Sequence, residues 1–253
     1  MQRAYTYNAL TLRVKPSGES NRDAWFLTAE EGILRATVFG GPKSRLRARV
    51  APYHEGTLWL YHDPVRNTYK VSDFDVLSYR TGIRELYERA MTAGVVAETI
   101  LATSGGGGGW SSAAELAGNV LDAIDSSDAA LSRRLGLYFL WHWTWVLGVR
   151  PDLSVCALCG KELRQDEALW YVNRREALFC ESCAGRMLSQ PEAGVSIRLG
   201  PGAIRWLKAI EPLRAAETTR ISLDDPSLEQ VSLISKTVLA AALGQKLPTW
   251  EGI

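Results

Sequence analysis

Apolar and polar residues alternate in short runs through the first 80 residues of the chain. In the first run, Leu10, Leu12 and Val14 are separated by single polar residues. Successive side chains of a strand point to opposite faces, so this alternation predicts half-buried strands. The five predicted strands are centred on ALTLRV, AWFLTA, ILRATVF, TLWLYH and YKVSDFDVLSY. Five strands in this length predict an OB barrel rather than a seven-stranded sandwich.

Beyond Tyr79 the apolar residues are spaced three and four positions apart, which predicts helices. The first helix should end before the run Gly105 to Gly109, because consecutive glycines disfavour a helix and predict a mobile loop. A phosphate-binding role for this run is the alternative, but no Lys-Ser or Lys-Thr pair follows it. Further helices are predicted over 112–124, 127–148, 202–211 and 226–244.

The helix predicted over 127–148 is apolar on nearly every side, so it should form the centre of a helical domain. It carries Trp141, Trp143 and Trp145, which could form an aromatic platform for stacking. Residues two positions apart on a helix point in different directions, so packing of these side chains in the core is favoured.

The composition, with 46% hydrophobic and 23% charged residues among 253, is typical of a globular protein and excludes a disordered chain. The start, MQRAYTYNAL, lacks the apolar run of a secretory signal, and no uncharged apolar stretch is long enough to span a bilayer. We therefore expect a cytoplasmic protein without a membrane partner. Net charge is only +1, but the first 80 residues carry 12 Lys and Arg against 8 Asp and Glu. The positive surplus thus lies in the predicted barrel.

All four cysteines lie in two Cys-x-x-Cys pairs, Cys156 with Cys159 and Cys180 with Cys183, with 20 residues between the pairs. This spacing is typical of a zinc ribbon, in which each pair presents two thiolates to one tetrahedral Zn²⁺. Four thiolates leave no open position for water, so the predicted zinc is structural and is coupled to folding. Two disulfides are one alternative, but they need an oxidising compartment. A thioredoxin-like redox pair is the other, and it does not explain two matched pairs.

Familiar catalytic motifs are missing from the sequence. None of His54, His62 and His142 begins the His-x-Glu of a zinc deaminase. A nucleophile elbow, a His-Glu-x-x-His helix and a P-loop are also missing. Asp73 and Asp75 could hold a divalent cation, but two solvent-facing carboxylates are ordinary in an alternating strand. We therefore predict that the chain is not an enzyme.

The segment from Gly32 to His54 has five cations and no acidic residue. The cations are Arg35, Lys43, Arg45, Arg47 and Arg49. Within it, KSRLRARV alternates strictly between basic and apolar residues, so an extended strand would project three arginines along one side. Such a row suits the phosphate backbone of a nucleic acid. A surface strand that happens to carry arginines is the alternative, but the missing acidic partners favour binding.

The expected fold class is α+β with several domains. We predict an OB-fold, DNA-binding domain over 1–80 and a zinc ribbon inserted over 152–195. The helical segments 81–151 and 196–253 should share one core, because the apolar faces of the last helices need a partner.

The stretch ATVFGGPKSRLRARVAPYHEGTLWLY, with its glycine-rich turn, basic centre and Pro-aromatic pair, resembles the OB domain of the RecO family. The order of barrel, helical middle, two Cys-x-x-Cys pairs and a C-terminal LGPGAIRWLKAI helix is similar to that family over nearly the whole chain. The glycine run and the segment PSGESNRD depart from the usual family pattern.

The resemblance implies a non-enzymatic mediator of recombinational repair, located in the cytoplasm at the nucleoid. RecO-like proteins bind single- and double-stranded DNA, anneal complementary strands, associate with RecR, and help RecA replace single-strand-binding protein on DNA. The cations, extended by Arg174 and Arg175 on the predicted zinc hairpin, would contact phosphates and leave the bases free. An RNA-binding or translation-associated module is the alternative, because OB folds and zinc ribbons occur together there as well.

Overall fold

The alternating N-terminal segment forms a closed barrel in the computed structural model, which describes residues 3–41, 44–188 and 195–253. The strands are β1 (Ala4–Ser17), β2 (Asn21–Thr28), β3 (Gly32–Val38), β4 (Glu55–Asp63) and β5 (Thr68–Ser78). They lie in the order β1-β2-β3-β5-β4, with β4 pairing back to β1 and β3 running parallel to β5. Closure satisfies both edges of the sheet. The predicted five-stranded OB barrel is confirmed.

The inner face of the barrel is filled by apolar side chains from all five strands, with Phe26 and Phe74 packed edge to face at 5.9 Å between ring centroids. A bulge in β1 shifts the register between Thr11 and Arg13. Because a bulge inserts one unpaired residue, Arg13 rather than Leu12 lies opposite Trp25 on β2. The bulge therefore decides which side chains of β1 face outwards beyond it.

The basic stretch, whose arginines would form one row if it were extended, is instead the short helix α1 (Arg45–Arg49), so the extended conformation is not the one adopted. Arg, Leu and Ala are good helix formers, and Leu46 packs against the barrel core in this conformation. Successive residues of a helix are rotated by about 100°, so Arg45 and Arg49 share one side and Arg47 points about 200° away from Arg45. The three arginines do not form one row.

Two helices follow the barrel within the same compact unit, Met1–Asp128. They are α2 (Tyr87–Ala102) and α3 (Trp110–Asp125), preceded by a 3₁₀ turn over Thr81–Arg84. Arg80, only 5% exposed, links α3 to the barrel, since it donates to the Asp122 carboxylate at 2.7 Å, to Glu55 and to the Tyr53 carbonyl at 2.9 Å.

The glycine run forms a turn against the barrel. Gly105 is buried with φ +76°, and its amide donates to the Ile100 carbonyl at 2.9 Å. A Cβ there would lie 3.2 Å from Ile33 on β3. Both the backbone conformation and the close approach therefore favour glycine at this position.

The second compact unit, Ala129–Ile253, combines helices with a small sheet. Its elements are α4 (Ala129–Val146), β6 (Leu169–Val172), β7 (Ala177–Cys180), α5 (Glu181–Leu188), β8 (Ser196–Leu199), α6 (Pro201–Ile210) and α7 (Asp225–Leu243). Short 3₁₀ turns lie over Asn173–Arg175, Ala215–Arg220 and Pro248–Gly252. The sheet order is β7-β6-β8.

Helix α4 packs against α7, and its tryptophans divide between core and surface. Trp141 and Trp143 are fully buried, as predicted, whereas Trp145 is 61% exposed. In the part of the chain that the structure describes, no helix combines the length and apolar character needed to cross a membrane.

Candidate functional site

The four cysteines come together at one point of the second unit. Their Sγ atoms all lie within 4.8 Å of one another, and those of Cys159 and Cys180 are 4.0 Å apart. Four sulfurs placed tetrahedrally about 2.3 Å from a zinc ion would be about 3.8 Å apart, so the cluster is close to the size of a metal site. The paired spacing and the strand β7 that leads into Cys180 thus place four ligands where one ion could be held.

The surroundings of the thiols also fit a metal ion. Burial opposes ionisation of Cys156, but backbone N–H groups of Cys159, Cys180 and Leu158 outweigh it and lower its pKa to about 6. Burial raises the pKa of Cys183 to about 11, even though the Arg186 guanidinium lies 3.2 Å from its sulfur. All four thiols can ionise together only with a cation between them, and that is what a bound metal supplies.

The cations of the predicted binding segment have different surroundings. Arg49 forms an ion pair with Asp73 on β5, at 3.2 Å, whereas Arg45 is exposed. Lys43 lies outside the described residues. Arg35 on β3 is paired with Asp23 on β2 at 2.6 Å. The described residues of this segment therefore do not form an uninterrupted row of free arginines, and the assignment of these residues to DNA stays a prediction.

Arg47 has a different environment, next to a second cation that the sequence reasoning missed. It lines a cleft of about 270 Å³ with Lys15 and Arg22, close to the turn that joins β1 to β2. Burial lowers the pKa of Arg22, and the positive charge of Arg47 lowers it further. Within the described residues, neither guanidinium forms an ion pair. The lining of the cleft includes one carboxylate, Glu19, and three cations, so the positive charge is in excess and the cleft suits an anion.

A second missed feature is a row of three residues across β1, β2 and β3. Trp25 lies opposite Arg13 on one side and Arg35 on the other. The Arg35 guanidinium lies over the Trp25 ring, 5.3 Å from the centroid. In OB folds, the face of strands 2 and 3 and the loop between strands 1 and 2 bind oligonucleotides. The row lies on the face of strands 2 and 3, and the cleft lies near the loop between strands 1 and 2. The residues of the row are neighbours only through strand pairing, which the sequence does not show.

Arg174 and Arg175 are exposed on the 3₁₀ turn Asn173–Arg175 between β6 and β7. They belong to the second unit, while the cleft belongs to the first. Their predicted contribution to a DNA surface stays a prediction.

Comparison with protein families gives two matches that together span the chain. The family described as "Recombination protein O N terminal" matches residues 1–80, which contain the barrel. The family described as "Recombination protein O C terminal" matches residues 84–251.

Curated relatives agree with this. The chain is 25% identical to "DNA repair protein RecO" of Heliobacterium modesticaldum, over 99% of this chain and 89% of the relative. It is 27% identical to the protein of the same name from Solidesulfovibrio magneticus, over 80% of each chain. With a barrel in the N-terminal match, a four-cysteine cluster in the C-terminal match and relatives named for DNA repair, the chain belongs to the RecO family of DNA repair proteins.

Proposed function

We propose that this protein binds DNA on its barrel and brings complementary strands together during recombinational repair, without a catalytic centre of its own. The observation that carries the proposal is the pair of adjacent guanidiniums, Arg22 and Arg47, beside Lys15 at the edge of the barrel. Three cations and one carboxylate, Glu19, line the cleft, so phosphate oxygens would supply the negative charge that balances the excess. Contacts to phosphate alone hold a strand without selecting a sequence.

The proposal extends to the partners that the family membership suggests. RecR would associate with the protein, and the complex would help RecA replace single-strand-binding protein on DNA. We place this activity in the cytoplasm, at the nucleoid. Both single- and double-stranded DNA are expected ligands, because both present phosphates.

The four-cysteine cluster would hold one Zn²⁺ as a structural ion. Cys156, Cys159, Cys180 and Cys183 would complete a tetrahedral shell around it, so no position would remain for an activated water. The ion would hold the segment of Cys156 and Cys159 against the end of β7 and the start of α5, and it would take no part in strand annealing.

Annealing of two complementary oligonucleotides, each coated with single-strand-binding protein, tests the proposal. The purified protein should accelerate annealing, and the double variant Arg22→Ala, Arg47→Ala should lose most of that acceleration. A protein that neither binds single-stranded DNA nor accelerates annealing would contradict the proposal. A strong preference for RNA over DNA of one sequence would instead favour the RNA-binding alternative.

A further inference from the structure

We propose that Trp25 and Arg35 form a stacking surface for nucleobases, so that the barrel contacts the bases of single-stranded DNA as well as its phosphates. The inference rests on the proposed DNA-binding function and adds a second kind of contact to it. It assigns to Arg35 a role different from the phosphate neutralisation expected from the sequence.

The geometry of Arg35 suits a flat contact. Its guanidinium lies over the Trp25 ring at 5.3 Å from the centroid, and its side chain remains 62% exposed. The Asp23 carboxylate accepts from Arg35 at 2.6 Å with one oxygen and from the Thr37 hydroxyl at 3.0 Å with the other. Asp23 is itself 8% exposed, so the guanidinium is held by a buried and doubly bonded anchor. A planar group fixed over an indole thus faces outwards from β2 and β3.

The charge of the Arg35–Asp23 pair also favours stacking over phosphate binding. Asp23 compensates the positive charge of Arg35, so Arg35 attracts a phosphate less strongly than the unpaired Arg22 and Arg47 do. What remains available at Arg35 is its flat surface, and guanidinium planes and aromatic rings both stack on bases.

One cation of β1 lies beside the pair, and the cleft with its cations lies further along the same strand. Arg13 lies opposite Trp25 on β1, and Lys15, two residues further along that strand, lines the cleft with Arg22. A strand whose phosphates contact these cations would bring its bases to Trp25 and Arg35. Duplex DNA has its bases stacked inside the helix, so only a single strand can use this surface.

Two oligonucleotides of one length separate the contributions of base and phosphate. One is oligo-dT; the other has the same sugar-phosphate backbone without bases. Stacking on one aromatic side chain typically contributes a factor of roughly 5 to 150 to binding. Trp25→Ala should therefore weaken oligo-dT binding by a factor in that range and leave binding of the abasic strand unchanged.

Two matched variants control this measurement. Trp59→Ala removes an exposed tryptophan from β4 of the same barrel and should change neither affinity. Trp25→Phe keeps an aromatic ring and should retain most of the preference for oligo-dT, which excludes a loss caused by misfolding. Arg35→Lys keeps the positive charge but removes the planar guanidinium, so it should reduce the preference for oligo-dT over the abasic strand.

The outcomes distinguish this inference from the proposed function. If the wild-type protein bound the abasic strand as tightly as oligo-dT, or if Trp25→Ala weakened both equally, the stacking surface would be refuted while DNA binding stood. If neither oligonucleotide bound at all, the proposed function itself would fail, and the inference with it.

Discussion

Two tryptophans lie on the outside of the same barrel, and their neighbours differ in charge. Trp25 on β2 has Arg13 and Arg35 as its cross-strand partners. Trp59 on β4, which is 37% exposed, has Thr6 on β1 and Asp73 on β5. Asp75 follows on the same strand as Asp73 and is also exposed. One face thus combines an aromatic ring with cations, and the other combines the same ring with carboxylates.

The difference shows that an exposed tryptophan does not by itself predict a nucleic-acid surface. Cross-strand neighbours lie within about 5.5 Å between Cβ atoms, so they determine the local potential around the ring. Asp23 compensates Arg35 on the first face, and Arg49 compensates Asp73 on the second. The remaining difference is Arg13, which attracts a phosphate backbone, and Asp75, which repels one. We therefore expect the two faces to respond in opposite ways when their charges are changed.

The largest expected effect is the unfolding of the ribbon when the metal is lost. It tests whether the Trp25 and Trp59 faces still differ in DNA binding when only the barrel remains folded. Zinc binding contributes about 10–16 kcal/mol to folding of zinc-finger peptides, so a chelator or Cys156→Ser should unfold the ribbon. Hydrogen exchange over 155–188 should rise sharply, and elemental analysis should show one zinc ion lost per chain. Trp25→Ala should still weaken oligo-dT binding more than Trp59→Ala does. A protein that contained no metal but had a protected ribbon would contradict the zinc assignment.

The next effect is expected at the cleft beside the Trp25 face. Each phosphate neutralised on a single strand contributes about −0.7 to the slope of log affinity against log salt. Replacing both Arg22 and Arg47 with Ala should therefore reduce the slope by about 1.4, which corresponds to roughly 25-fold weaker binding at 0.1 M salt if the affinities converge at 1 M. Fluorescence anisotropy over a salt series measures both quantities.

A matched control for this variant lies in the ribbon. Lys161 pairs with Glu167 at 3.0 Å and Arg164 with Asp166 at 2.8 Å. Replacing these two cations with Ala removes the same net charge from sites that already have carboxylate partners. An equal loss of affinity in this control would show that only total charge matters and that the cleft has no special role.

Local patterns in the sequence were sufficient to predict the elements whose structure depends on residues close together in the chain. Alternation predicted five barrel strands because pleating repeats every two residues. The two Cys-x-x-Cys pairs predicted a cluster, and the four sulfurs do lie within 4.8 Å. Buried Trp141 and Trp143 follow from the apolar surroundings that α4 shows in the sequence.

The candidate interface could not be predicted in the same way, because it depends on contacts between distant segments. Strict alternation in KSRLRARV fits a strand, yet packing of Leu46 against the barrel core favours a helix. The bulge in β1 places Arg13 opposite Trp25. The residue types around Thr11 do not predict this bulge. Arg22 and Arg47 lie 25 positions apart in the numbering and meet only in the folded barrel.

A smaller effect, opposite in sign, is expected on the Trp59 face. Asp73 holds Arg49 in an ion pair at 3.2 Å, so Asp73→Ala should free that arginine for a phosphate. One added contact raises single-strand affinity roughly fivefold at 0.1 M salt. Stability should change little, because exposed ion pairs contribute about 0–1 kcal/mol. Binding of single-stranded DNA by the purified variant measures the change in affinity, and thermal unfolding measures the change in stability.

Asp75 provides the control for this variant. It is exposed on the same strand, and the described residues offer it no ion-pair partner. Asp75→Ala removes the same charge without releasing an arginine, so its gain in affinity should be smaller. Equal gains from the two variants would mean that Arg49 does not reach the DNA.

The smallest effect concerns the anchor of the stacking surface. Burial by itself raises the pKa of Asp23, but hydrogen bonds from Arg35 and Thr37 outweigh it and hold the pKa below its usual range. An acid whose pKa is lowered by folding contributes stability above its unfolded pKa and loses it as pH falls through the folded value. Asp23 therefore stays ionised from pH 8 to pH 5, and the ratio of oligo-dT to abasic affinity should be constant over that range.

Asp23→Asn removes the charge while keeping the size of the side chain and an acceptor for Thr37. Arg35 is then less firmly held and more positive towards phosphate, so abasic binding should rise slightly. The ratio of oligo-dT to abasic affinity should fall about twofold, the scale of an ion pair whose arginine is exposed. These opposite changes in one variant separate stacking from charge. If both affinities rose by the same factor, Asp23 would act only through its charge, and the Trp25 face would differ from the Trp59 face in potential alone.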